Sequence, residues 1–409
     1  MLFKVEIENF LSIGDPITID LRARKGTDDV LGRLSPIYKD SDDRSPNVVA
    51  LFGPNAAGKT NVLRAITFAT WFVSRSFDWS PETSLPYEKF GSMEKLEQRT
   101  RLAFSFAGFV DFLNPSIEGE QCPYSYEVIL GPRRAPQGDG LQDIVLSEKI
   151  TYQPKRRGKP ITILERRGLE IVKAAPGLID KGTRLALKSV LRERASIIAT
   201  LGQLNNPVAG HFLKSTALIF SDIFIDRKII GERDLSNFYR DHPSFFDALK
   251  DLARRIDLGI EDVQIHRYAD DITLHFQHAG LDQIITLRRE SDGTRNLVSV
   301  FPYLVQALST GGIAIIDELD TTIHPMLLPE IVRWFGDEVR NPHGAQLWMT
   351  CHSASLLSEL TKEEILFCEK DRKGQTSVFK LAEIEGVRRS ENFYGKYMSG
   401  EYGAVPQVG

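Results

Sequence analysis

Eight residues constrain this chain more than any others: Gly53, Pro54, Asn55, Ala56, Ala57, Gly58, Lys59 and Thr60. They match G-x-x-x-x-G-K-[ST], a phosphate-binding P-loop. Val48 to Phe52 before it read as a short buried strand. Asn61 to Phe72 after it carry apolar side chains at helical spacing, without proline or glycine. Strand, glycine loop and helix form the context the motif needs. The glycines let backbone N–H groups turn onto phosphate oxygens, and the helix N-terminus adds partial positive charge there. Lys59 is expected on the β- and γ-phosphates, and the Thr60 hydroxyl on Mg²⁺. The stretch reads as a nucleotide site.

A second element lies far along the chain. Ile313 to Ile316 are four apolar residues followed by Asp317 and Glu318. Such a run suits a strand buried in a parallel sheet, whose carboxyl end faces the ligand crevice. Asp317 is then placed to hold Mg²⁺ beside Thr60. Glu318 is placed to orient or deprotonate a water attacking the γ-phosphate. Ser291-Asp292-Gly293 opens a helix and makes a further anion nest. It is redundant within one chain, but useful if it closes on the phosphate of a second subunit. Gln346 to Thr350 read as another core strand, which leaves His352 beside the acids.

The ordered set resembles the Walker A, signature, Walker B, D-loop and switch-histidine elements of ABC-type ATPases. Ile7 to Ser12 resemble the first strand of the RecF/SMC-like branch. Glu318, Asp320, His324 and Pro325, with the ending Gly400 to Pro406, resemble AAA-family ATPases of the OLD-like group. That group includes the stand-alone ATPases of phage-defence systems such as PARIS, Septu and some retron systems. The resemblance implies an ABC-type α/β ATPase head with an inserted β-hairpin lobe and a helical segment. It implies ATP and Mg²⁺ as cofactors, and a homodimer or higher homo-oligomer with Ser291 and Gly293 reaching the γ-phosphate across the seam. His352 becomes the switch residue, with Asp320 and His324 near the seam, and Gln203 the Q-loop residue. The signature is Glu-Ser-Asp-Gly here, not Leu-Ser-Gly-Gly. The residues after His352 are too few for the Toprim nuclease domain of OLD proteins, so an effector, plausibly a nuclease, is expected as a separately encoded partner.

Four segments follow from this reading: 1–100 with the P-loop, a hairpin lobe at 101–170, a helical segment at 171–260, and the rest of the core at 261–409. Within them, one helix is expected from Thr183 to Ala199 and another from Met326 to Val339. The interval between Thr60 and Asp317 has no sustained heptads, which excludes a long coiled-coil arm.

Composition sharpens the function classes. A net charge of −4 argues against whole-molecule attraction to nucleic acid. A local basic face remains, with Arg133-Arg134, Lys155-Arg156-Arg157, Lys159 and Arg166-Arg167 close in sequence, so nucleic acid stays open as a partner. The three cysteines lack C-x-x-C spacing, which points to a reducing, cytoplasmic setting without structural zinc. His275 and His278 lack further ligands in metal spacing. Asn296 to Ile316 is long and uncharged, but Pro302 and Gly311-Gly312 make it a helix, a turn and a strand, and no membrane span is expected.

Overall fold

A computed structural model describes residues 1–116, 118–134, 141–225, 231–256, 259–268, 271–323 and 327–405. The chain opens with strands β1 (Leu2–Glu8) and β2 (Ile17–Asp20), the small pair β3 (Leu34–Pro36) and β4 (Arg44–Pro46), and then β5 (Val48–Phe52). Helices α1 (Lys59–Arg75) and α2 (Met93–Leu96) lead to β6 (Thr100–Phe109), β7 (Gln121–Arg134), β8 (Leu141–Tyr152), β9 (Ile161–Arg167) and β10 (Glu170–Ala174). Next come α3 (Lys181–Val190), α4 (Ile197–Gln203), α5 (Pro207–Thr216), β11 (Ile219–Ser221), α6 (Glu232–Asp241) and α7 (Pro243–Ile256). A small sheet of β12 (Ile260–Tyr268), β13 (Asp271–His278) and β14 (Ile285–Thr286) precedes α8 (Asp292–Thr310). The chain finishes with β15 (Ile313–Ile316), α9 (Leu319–Thr322), α10 (Leu328–Trp334), β16 (Gln346–Thr350), β17 (Ile365–Lys370), β18 (Thr376–Lys380) and α11 (Phe393–Met398).

Among the described residues two large sheets form. The core sheet runs β11-β15-β16-β5-β17-β18, parallel except for β18. Its strands come from both ends of the chain, as expected of the α/β P-loop head. It is buried on both faces, which is why β5, β15 and β16 are nearly unbroken apolar runs. Val49, Leu51, Ile315 and Trp348 pack towards α1 and the other large sheet. Val48, Ala50, Phe52, Ile316 and Met349 pack on the opposite side with α8 and α10. That other large sheet is antiparallel, in the order β10-β9-β8-β7-β6-β1-β2, so the hairpin region at 101–170 shares a sheet with the start of the chain.

The expected helix over 183–199 is instead two, α3 and α4, with an extended break between them. Tertiary partners impose the break. The carbonyls of Arg192 and Ala195 accept hydrogen bonds from the buried Arg166, and that of Glu193 accepts the Val145 N–H at 2.8 Å. These bonds replace the helical ladder. The expected helix through Val339 stops at Trp334, because Asp337 accepts the Val339 amide at 2.8 Å and closes a turn. Strand β11, too short to show periodicity, lies in the stretch read as helical. Gln137-Gly138-Asp139-Gly140, whose glycines mark a turn within the hairpin region, lies outside the described residues. Tyr397 and Tyr402 pack on Phe367 of the core sheet, so this part of the tail is built into the core. The cysteines are free and buried, and no described helix is long and apolar enough to cross a membrane.

Candidate nucleotide site

Strand register assembles the site. Ser221 pairs with Ile315, Ile316 with Met349, Thr350 with Leu51, and Phe52 with Phe367. The parallel strands therefore end level, and Asp222, Asp317, Cys351 and Gly53 follow them along one edge. Ligands of open α/β sheets bind outside that edge.

The loop after β5 needs its glycines. Gly53 has φ 145° and Gly58 φ 98°. A Cβ on Gly53 would fall 2.2 Å from the Cys368 carbonyl oxygen, and one on Gly58 would fall 2.1 Å from Thr376 Oγ1. Gly58 caps α1 without a side chain; the Asn61 amide turns back to Gly58 O at 3.0 Å, while those of Gly58, Lys59 and Thr60 have no partner among the described residues and are left to an incoming anion. Lys59 is folded back into the loop, its Nζ donating to Gly53 O at 2.9 Å and Pro54 O at 3.1 Å. Burial holds its pKa below the ordinary lysine value, against the pull of Asp317 and Glu318. From the far side, Thr376 Oγ1 donates to Ala57 O at 2.8 Å, and Asn61 Nδ2 donates to Ser12 Oγ at 2.7 Å.

A chain of short hydrogen bonds joins the two halves of the motif. Thr60 Oγ1 donates to Asp317 Oδ1 at 3.0 Å, and Thr350 Oγ1 donates to the same oxygen at 2.6 Å. The Glu318 N–H donates to Thr350 Oγ1 at 2.7 Å. The Asp317 N–H donates to the Asp222 carboxylate at 3.1 and 3.3 Å. Burial, helped by the charge of Asp317, pushes the Asp222 carboxyl up to about 7. Glu318 sits on left-handed backbone, φ 49°, which is uncommon for a side-chain-bearing residue and turns it out of the strand direction. His352 Nε2 is 3.5 Å from Glu318 Oε1. Asp320 Oδ2 accepts the amides of His352 at 2.9 Å and Ser353 at 2.7 Å, which fixes the histidine's loop. A cleft of about 700 Å³ results, lined by Asn55 to Asn61, Glu318, Thr321, His352 and Lys370.

Thr60 and Asp317 are hard oxygen donors side by side, the kind of pair that suits Mg²⁺. Among the described residues no cluster of three or more His, Cys, Asp or Glu is placed to hold a metal. His278 pairs with Glu290 at 2.8 Å, just before Ser291. Ser291 caps α8, its Oγ accepting the Thr294 amide at 3.1 Å. Ser291 and Gly293 are exposed and do not line the cleft of their own chain.

Gln203 does not reach the cleft. It ends α4 and lies 3.4 Å from Asp78, beyond the far end of α1. The 17 residues of α1 separate that point from the P-loop by about 25 Å. Beside Asp317 stands Asp222, which sequence reasoning missed because β11 supplies only three residues of pattern. Thr350 was legible as a strand end but not as the link between both acids. His324 and Pro325 lie outside the described residues.

A sequence family described as "AAA domain, putative AbiEii toxin, Type IV TA system" matches residues 48–358, which span the P-loop, Asp222, Asp317, Glu318 and His352. The chain belongs to this AAA family. Comparison with curated proteins returned no relative. Among solved structures, this AAA protein is similar to an Smc head bound to the C-terminal winged-helix domain of ScpA, at 13% identity and TM-score 0.45, covering 92% of this chain and 96% of that one. It is also similar to an Smc head with an extended coiled coil, bound to the C-terminal domain of ScpA from Pyrococcus furiosus, at 12% identity and TM-score 0.43, covering 93% and 97%. A third, from Pyrococcus yayanosii, is an Smc head with a coiled coil and joint, at 11% identity and TM-score 0.43, covering 93% and 96%. No function passes to this chain from likenesses this distant.

Proposed function

We propose that this AAA protein binds Mg²⁺-ATP in the cleft, closes around it as a homodimer, and hydrolyses it. We further propose that it serves as the ATPase sensor or scaffold of an anti-phage defence system, holding a separately encoded effector. The observation that carries the catalytic reading is the bonded chain Thr60–Asp317–Thr350–Glu318, which ties both halves of the motif at one strand edge. In this reading the amides of Gly58, Lys59 and Thr60 cradle the phosphates, and Lys59 exchanges its two carbonyl partners for phosphate oxygens. Thr60 and Asp317 hold Mg²⁺, which when bound neutralises charge on the β- and γ-phosphates. Glu318, reached by His352, orients or deprotonates the attacking water, and His352 bonds the γ-phosphate. Ser291 and Gly293 meet the phosphate of the partner subunit. Their exposure away from their own cleft supports that role.

The family's description names a toxin of a type IV toxin–antitoxin system, which supports the defence reading. A second reading is a RecF-like clamp on duplex DNA. It is favoured by Lys155, Arg157 and Lys159, which carry no ion pair among the described residues. Glu318→Gln should retain ATP, lose about 10²-fold or more in turnover, and run as a dimer on size exclusion. Turnover at the wild-type rate would remove Glu318 from the mechanism. Turnover stimulated by duplex DNA, with the stimulation fading as salt rises, would favour the clamp.

A further inference from the structure

We infer that the chain carries a second anion site, remote from the P-loop, for a small ligand bearing two or more phosphates. The site is a cavity of about 560 Å³ between the loop after β2, the turn before β17 and the end of β18. Arg22, Arg24, Lys25, Lys362, Lys380 and Arg389 line it, against Asp20, Asp43, Glu363 and Glu383. Positive charge is thus in excess by two, on a chain of net charge −4.

Asp20, Glu363 and Glu383 each accept a hydrogen bond, while Glu363 Oε2 is buried without a partner among the described residues. Asp20 takes a forked pair of bonds from Arg22, Glu363 is bonded by Arg389 at 3.1 Å, and Glu383 accepts the Lys380 amide at 3.4 Å. Arg24 and Lys25, by contrast, are exposed and have no side-chain partner among the described residues. Lys380 is the buried cation. Its Nζ donates to Asp20 O at 2.7 Å and Arg22 O at 3.4 Å, which leaves a third N–H unused. Burial lowers its pKa against the pull of Glu383, Asp20 and Glu363, and Arg24 adds a smaller repulsion in the same sense as burial. Cations crowded round a cavity repel one another, and an anion seated among them relieves that repulsion. A guanidinium fork beside two ammonium groups suits phosphate oxygens, and the volume lies in the range of small-molecule sites.

This is not the P-loop seen from another side. Strand β18 begins at Thr376, which grips Ala57 of the P-loop, and ends at Lys380, about 13 Å further on. A buried ammonium in a concave cavity selects a terminal phosphate over a chain of phosphodiesters. The inference does not depend on the proposed ATPase role.

The test uses the full chain with Lys59→Ala, which removes the main phosphate grip of the P-loop, titrated calorimetrically with inorganic tripolyphosphate at low salt. One site is expected, weakening as salt is added. Adding Arg24→Glu and Lys25→Glu should raise Kd at least tenfold, while Lys155→Glu with Arg157→Glu should leave it unchanged. Because Arg24 and Lys25 are exposed and unpaired, the reversed variant should keep the parent Tm. If its Tm falls, Arg24→Gln with Lys25→Gln is used, with at least a threefold rise expected. No binding to the Lys59→Ala chain, or a Kd indifferent to Arg24 and Lys25, would overturn the inference. So would binding of a DNA duplex through Arg24 and Lys25 without binding of tripolyphosphate.

Discussion

Two polar clusters in this molecule look alike in composition and differ in what they leave undone. In the antiparallel sheet, Arg166 and Glu148 are fully buried and 2.9 Å apart. Glu148 also accepts Tyr126 Oη at 3.0 Å, Ser196 Oγ at 2.6 Å and the Ile197 amide at 2.9 Å. Arg166 spends its remaining donors on the carbonyls of Gly168, Arg192 and Ala195. Nothing in that hub is open to a ligand. At the strand edge, Lys59 holds only two carbonyls, Glu318 is half exposed on left-handed backbone, and a cleft of about 700 Å³ lies in front of them. The lesson concerns satisfaction rather than charge. A satisfied buried network ties strands together, whereas an unsatisfied one at a strand edge is available for chemistry.

Substitutions can break this contrast if it is wrong. Lys59→Ala should cut ATP affinity by about 10²-fold or more in a calorimetric titration, and cost only about 1–2 kcal/mol of stability for the two loop-carbonyl bonds of a buried side chain. Glu148→Ala should do the reverse. It strands a buried guanidinium and costs about 3–5 kcal/mol in urea unfolding, with ATP affinity of the folded fraction unchanged. Should Glu148→Ala prove stable but nucleotide-blind, the division between the clusters fails.

Asp222 tests the boundary between them, being half-buried and placed at the nucleotide edge. Its carboxyl is raised from 3.8 to about 7, so the folded protein keeps a proton that the unfolded chain releases. Stability of the nucleotide- and metal-free protein should therefore fall as pH rises from about 4 to about 7, then level off, by at most about 4 kcal/mol. Asp222→Asn should flatten that profile. A profile unchanged by Asp222→Asn would mean that another group governs the pH dependence. The smallest effect belongs to the surface. Arg156 pairs with Asp42 in solvent, and Arg156→Ala should move stability by less than about 1 kcal/mol.

Arg166 shows how sequence alone misleads. It stands in a run of basic residues that reads as a nucleic-acid face, yet it is fully buried against Glu148, and Arg133 is taken by Glu193. Neighbours in sequence on a strand point to opposite sides of the sheet, so a basic run divides between core and surface. The break between α3 and α4 has the same origin, since the carbonyls that Arg166 needs come from residues whose local pattern is helical. The Q-loop that the resemblance implies is expected at Gln203, and distance along α1 removes that residue from the cleft of its own chain.

The sequence by itself determined the phosphate loop, the apolar strands β5, β15 and β16, and the acids that follow β15. Each is a contiguous pattern whose physical demand is local: glycine for positive φ, apolar runs for a strand buried on both faces, acids at a strand's carboxyl end. Only the tertiary structure decided that Asp222 and Thr350 grip Asp317, that Asp320 fixes the loop of His352, and that Arg24, Lys25 and Lys380 surround one cavity. Those groups lie tens to hundreds of residues apart, and strand register and the burial of both sheet faces bring them together.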